Sequence, residues 1–113
     1  MLLSVRDIGQ TVVEILFYGP GENWEKNDLI CTRLCNTIKE LHEGGRSILI
    51  DMDKVHTVDN TSANKIAEYI KQISGIKIAF YNTKRFVRHS FQTNGIPQKL
   101  LFDNRDNALA SFT

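Results

Sequence analysis

The stretch Ser47-Ile48-Leu49-Ile50-Asp51-Met52-Asp53-Lys54-Val55-His56-Thr57-Val58-Asp59-Asn60-Thr61-Ser62-Ala63 constrains the fold more than any other part of the chain. It opens with a short continuous apolar run, the pattern of a strand covered on both faces. It closes on Asp59, Asn60, Thr61 and Ser62, all good helix-capping residues. Ala63, Ile66, Ala67, Ile70 and Ile73 then recur three or four apart, which predicts the apolar face of a helix. A further strand is expected over 76–81 after the Ser74-Gly75 break, so that strand, helix and strand form a right-handed βαβ crossover. The helix start gathers hydroxyls, a carboxylate and unpaired backbone N–H groups at one point, a chemistry suited to docking or phosphorylation.

The rest of the chain falls into place around that unit. Val5 and Ile8 predict a short first strand, and after Gly9-Gln10 the run from Thr11 to Tyr18 predicts a second that pairs with it as a hairpin at the sheet edge. Gly19-Pro20-Gly21 ends that strand. Cys31, Leu34, Cys35, Ile38 and Leu41 mark a helix over 28–43, closed by Gly44-Gly45. Asn82 or Thr83 is expected to cap a third helix carrying Phe86, Val87 and Phe91, which ends at Asn94-Gly95. A short strand is expected over Leu100–Phe102, then a terminal helix from Asn104 or Asp106 with Ala108, Leu109 and Phe112. The order β-β-α-β-α-β-α-β-α predicts an α/β fold, a mixed and mostly parallel sheet with about four helices packed on it. The Asp59 turn falls at a strand's carboxyl end, where open α/β sheets place their sites.

At 113 residues, the chain is expected to be one domain over 1–113, a module rather than a catalytic domain joined to a regulatory one. A formal charge of +1 supplies no general basic field, so neither nucleic acid nor an anionic membrane is an expected partner. The apolar start is broken at once by Arg6 and Asp7, and no run approaches membrane-spanning length, so a cytoplasmic protein is expected. Cys31 and Cys35, the two cysteines, are read as buried thiols. His42, His56 and His89 lack metal-ligand spacing, and no Ser or Cys stands in a nucleophile motif, so neither a metal, a cofactor nor catalysis is expected.

The turn Asp59-Asn60-Thr61-Ser62, with Gly44-Gly45-Arg46 before the strand and Lys77-Ile78-Ala79-Phe80-Tyr81-Asn82 after the helix, resembles the STAS domain of bacterial anti-sigma-factor antagonists. The resemblance runs on through Val87 and Asn94-Gly95-Ile96 to Leu100-Leu101-Phe102-Asp103 and Ala108-Leu109. It implies a STAS-like fold and a non-enzymatic, protein-binding module. The implied partner is a Ser/Thr kinase-type anti-sigma factor, whose capture would release a sigma factor. In that family the residue directly after the Asp accepts phosphate; here it is Asn60, which has no hydroxyl, and Ser62 stands where a Gly is usual. The resemblance also implies a partner contact from the loop before the first long helix. An ungapped carry-over puts Glu22 at its acidic position, beside Asn23, with Trp24 as a lid or an exposed anchor.

The expected partner-binding residues are therefore Glu22, Asn23, Asp59, Asn60, Thr61, Ser62 and Lys65, with Thr61 or Ser62 as a displaced phosphosite. A phosphoryl group adds nearly two negative charges at a helix start that tolerates them, while repelling a partner fitted to a neutral group. Asn60 is uncharged and imitates the unphosphorylated, binding-competent state. A second reading makes the domain a STAS subunit of a lipid-transport ATPase or stress-sensing complex, never phosphorylated. A third, from another class, is a small phosphotransfer or nucleotide-binding protein holding Mg2+ on Asp51, Asp53 and Asp59. Lys84, Arg85, Arg88 and His89, with Lys65 and Lys71, are read as solvated charge, the alternative being contact with an acidic partner.

Overall fold

The computed structural model describes residues 2–19, 28–73 and 77–113. Along the chain lie β1 (Leu2–Asp7), β2 (Val12–Tyr18), α1 (Asp28–Glu43), β3 (Ser47–Asp51), α2 (Asn60–Gln72), β4 (Ile78–Tyr81), α3 (Arg85–Thr93) and α4 (Arg105–Ala110). The strands stand in the order β1-β2-β3-β4, with β1 antiparallel to β2 and the other pairs parallel. This is the mixed, mostly parallel α/β sheet with four helices that the sequence predicts.

Alternation along each strand sends successive side chains to opposite faces, and both faces are covered. Val13, Ile15, Phe17, Ile48, Ile50, Ile78 and Phe80 point into the main core, against Leu34 and Ile38 of α1, Ile66 of α2 and Val87 and Phe91 of α3. Phe80 and Phe91 meet edge to face with ring centroids 5.2 Å apart, an arrangement that contributes about 0.5–1.5 kcal/mol beyond the area it buries. Leu49, Ala79 and Tyr81 point the other way, into a smaller core capped by Ala108 of α4 with Val12, Phe102, Leu109 and Phe112 around it.

That second face also holds a buried charge. Glu14, in the middle of β2, is 0% exposed. Its carboxylate accepts a hydrogen bond from the Tyr81 hydroxyl at 2.5 Å, another from Arg105 Nε of α4 at 3.0 Å, and a third from Arg6 of β1. Burial alone would raise the Glu14 pKa, but these three donors together hold it below the ordinary value of 4.5. The same burial and the adjacent carboxylate push the Tyr81 phenol well up, so it remains a donor. Arg105 thereby anchors α4 to the sheet by charge as well as by apolar contact.

Three local expectations are corrected. The strand over Leu100–Phe102 is reduced to one parallel bridge between Phe80 and Leu101. Pro97 and a single 3-10 turn at Gln98–Leu100 precede it and the Asn104 cap follows, leaving no length for a ladder. The cap of α3 is Lys84 rather than Asn82 or Thr83. Asn82 instead takes a positive φ of 54°, the left-handed conformation asparagine tolerates better than most residues, and Thr83 is buried. Phe86, named with Val87 and Phe91 as the apolar residues of α3, does not join them in the core and is 72% exposed. Val87 and Phe91, one turn apart, take the inner face, and Phe86 projects about 100° away from Val87 around the helix.

Candidate functional site

The β3–α2 connection is fixed from beneath by its apolar residues. Met52, Val55 and Val58, three apart, all point into the core, leaving Asp53, Lys54 and His56 outside. At its start, Asp51 Oδ1 accepts from the Asp53 backbone N–H at 2.9 Å and from Asn82 Nδ2 at 3.1 Å, joining the ends of β3 and β4. At its end, Asp59 is the N-cap of α2: its backbone is extended, its Oδ1 accepts from the Ser62 N–H at 3.3 Å, and its carbonyl accepts from the Ala63 N–H at 3.0 Å. The Asp59 carboxylate thereby satisfies one of the otherwise unpartnered donors of the first turn, the Ser62 N–H, while the Ala63 bond is the first of the regular helical ladder.

Both ends of α3 touch this connection. The Lys84 ammonium donates to the Asp53 carbonyl, and Asn94, the C-cap, donates from Nδ2 to Asn60 Oδ1 at 3.1 Å and to the Ser90 carbonyl at 2.7 Å. Asn60 and Thr61 face solvent in the first turn of α2, with Lys65 exposed one turn on. A groove of about 410 Å³ between α1 and α2 carries Cys35, Asn64, Lys65 and Tyr69 on its walls. The Cys35 thiol is pushed well up by its hydrogen bond with Cys31 and by burial, and stays neutral. The result is a polar surface whose first turn presents the uncharged Asn60 and Thr61, with the Lys65 ammonium one turn on and the Asp59 carboxylate beneath.

Ser62 does not share that surface. It is 0% exposed, on the inner side of α2 with Ala63 and Ile66, and its Oγ has no hydrogen-bond partner among the described residues. Its carbonyl accepts from Cys31 Sγ of α1 at 3.6 Å. The expectation that Ser62 binds a partner or accepts phosphate is therefore corrected, because its hydroxyl points into the helix-helix contact. Thr61 is the hydroxyl that faces outward. Glu22, Asn23 and Trp24 lie outside the described residues.

The Mg2+ reading is also corrected. Among the described residues no three His, Cys, Asp or Glu side chains form a group able to hold a metal. Asp51 is engaged with Asp53 and Asn82, Asp59 with its helix, and Asp53 projects into solvent. Of the basic cluster, Arg88 pairs with Asp103 at 2.7 Å and Lys71 with Glu68 at 3.4 Å, both near the surface where such pairs contribute little. Among the described residues no helix is long and apolar enough to cross a membrane.

No curated protein sequence matches the chain. Its fold is similar to that of the anti-sigma factor antagonist SpoIIAA in its unphosphorylated form, with a TM-score of 0.59 and 14% identity, covering 97% of this chain and 95% of that one. It is also similar to part of SLC26A9, with a TM-score of 0.52 and 15% identity over 88% of this chain, which spans only 19% of that protein. Identities this low establish likeness of fold alone. Residues 31–108, running from the first turn of α1 through the Asp59 cap to α4, match the model of the STAS domain, and the chain belongs to that family.

Proposed function

We propose that the protein is a non-enzymatic binding module that captures a Ser/Thr kinase-type anti-sigma factor through the start of α2, with Asp59, Asn60, Thr61 and Lys65 as contacts. Glu22 and Asn23 are proposed to join them from the loop before α1. The observation that carries the reading is the position of Asn60: it is solvent-facing, directly after the Asp59 cap, and held by Asn94. A side chain that cannot be phosphorylated stands where the family's acceptor falls. The surface is then permanently in its neutral, binding-competent form, unless Thr61 takes the phosphate instead. Either charge would be tolerated by the helix N-terminus while disrupting a partner shaped for a neutral group.

A second reading has one observation in its favour. The match to a 19% portion of SLC26A9 shows this fold within a much longer chain. In that reading the domain is a constitutive subunit of a larger assembly, such as a lipid-transport ATPase or a stress-sensing complex.

The test is an affinity capture from native-host lysate with wild-type and Asn60→Asp bait, read by mass spectrometry for partners and phosphosites. The first reading expects a kinase-like ATPase that is retained by wild type and lost, by tenfold or more, with the added charge. A transporter or scaffold subunit, or binding indifferent to Asn60→Asp, would replace it with the second.

A further inference from the structure

Four of the five large apolar side chains exposed among the described residues belong to one hairpin: Leu2 at 47%, Val5 at 46%, Ile8 at 36% and Tyr18 at 48%. Three of them lie along β1 or just after it, and among the described residues β1 is an edge strand. Edge strands are normally guarded by charge, proline or a bulge. Here the two charged residues stand at one end of the strand, each paired within its own chain, Arg6 with Glu14 and Asp7 with Arg46 at 2.6 Å. The run Leu2-Leu3-Ser4-Val5 carries no guard.

The backbone register determines what can add to this edge. The Ile8 N–H donates to the Val12 carbonyl, so Ile8 and Val12 form a hydrogen-bonded pair of the β1–β2 ladder. In an antiparallel ladder such pairs alternate, so Arg6–Glu14, Ser4–Leu16 and Leu2–Tyr18 are also of this kind. The N–H and C=O groups of Leu3, Val5 and Asp7 therefore point outward. One two-fold arrangement uses all three: antiparallel pairing of β1 with a second β1, its axis passing between the two Val5 residues. Leu3 then bonds to the second chain's Asp7, Val5 to Val5 and Asp7 to Leu3. In the same register Leu2 meets the second chain's Ile8 on the face toward α4, and Val5 meets Val5 on the face toward α1. Ser4 falls opposite Arg6, so no like charges are directly opposed. Every exposed apolar residue of the strand finds an apolar partner.

We propose that β1 is an interface with a second copy of this chain, joining two four-stranded sheets into one of eight. The self-complementarity is what an isologous contact requires. An unrelated strand would have no reason to match apolar to apolar at both ends and at the centre.

A single strand pair buries less than the roughly 1,200–2,000 Å² of a standard stable interface, so the dimer is expected to be weak. Sedimentation equilibrium from about 5 µM to about 1 mM should show the mass rising from 12.9 kDa toward twice that value. Val5→Arg, which sets two guanidinium groups against each other at the axis, should shift the midpoint upward by tenfold or more, with circular dichroism unchanged. A second variant fixes the register. Leu2 and Ile8 lie about 20 Å apart along their own strand, too far to be bridged within one chain. In the double variant Leu2→Cys/Ile8→Cys, oxidation should therefore give a covalent dimer, while wild type, keeping Cys31 and Cys35, gives none. A wild type that stays monomeric to 1 mM, a dimer indifferent to Val5→Arg, or a double variant that oxidises no faster than wild type would each overturn the proposal.

Discussion

Replacing Glu14 by Gln tests how α4 is held. The substitution preserves size but removes the charge from a site with 0% exposure, leaving two guanidinium groups facing a neutral amide. Hydrogen bonds to a charged group contribute about 1.5–3 kcal/mol each. The Arg6 and Arg105 side chains are 59% and 37% exposed, so solvent screens both and their shares must be cut. A net loss of about 2–4 kcal/mol follows, below the roughly 3–5 kcal/mol of a fully enclosed pair. At about 4 °C per kcal/mol for a domain of this size, the melting temperature should fall by roughly 8–16 °C. Arg105→Gln should lose less, since Glu14 keeps Tyr81 and Arg6.

The pH dependence supplies a second readout. The folded pKa of Glu14 lies below its unfolded value near 4.5, so the stabilisation is fully present above 4.5 and is lost as pH falls through the folded pKa. Urea titrations at pH 7 and at stepwise lower values should show wild type losing its advantage over Glu14→Gln in that acid window. A Glu14→Gln protein within about 1 kcal/mol of wild type at pH 7, or a difference that grows in acid, would refute the account.

Two further outcomes are expected from the same melts. Ser62→Ala should be neutral or stabilising by up to about 1 kcal/mol, because it removes a buried hydroxyl that has no partner; a loss above that size would mean the hydroxyl is bonded after all. Asn82→Val should destabilise by about 1–3 kcal/mol, combining a β-branched residue at positive φ with loss of the Asp51 bond, whereas Asn82→Gly should recover the backbone part of that loss.

What was legible in the sequence is what local pattern encodes. The bounds of α1 and β3 and the Asp59 cap follow from periodicity, glycine stops and capping chemistry acting over a few residues. Glu14 shows where this ends. A lone acid between Val12 and Leu16, both alternating onto its own face of β2, is a visible anomaly. The residues that satisfy it, Tyr81 and Arg105, are 67 and 91 positions away and are brought together only by the sheet register. The site divides the same way. Ser62 reads as one of four equivalent polar residues until the helix phase, fixed by Ala63 and Ile66, turns it inward. The link from Asn94 to Asn60 spans 34 positions and has no local signature.

The attachment of α3 to both ends of the Asp53–Asn60 connection bears on binding kinetics. A loop pinned below by Met52, Val55 and Val58, and held at its two ends by Lys84 and Asn94, has already surrendered its conformational entropy during folding. On the proposed reading, a partner meeting Asn60 and Thr61 would encounter a rigid template and spend little of its contact energy on ordering the surface it grips. Loosening the Asn94 end while leaving every contact residue intact would therefore weaken capture from outside the interface. The sensitivity of the proposed docking turn would then extend into a helix that touches it only through Lys84 and Asn94.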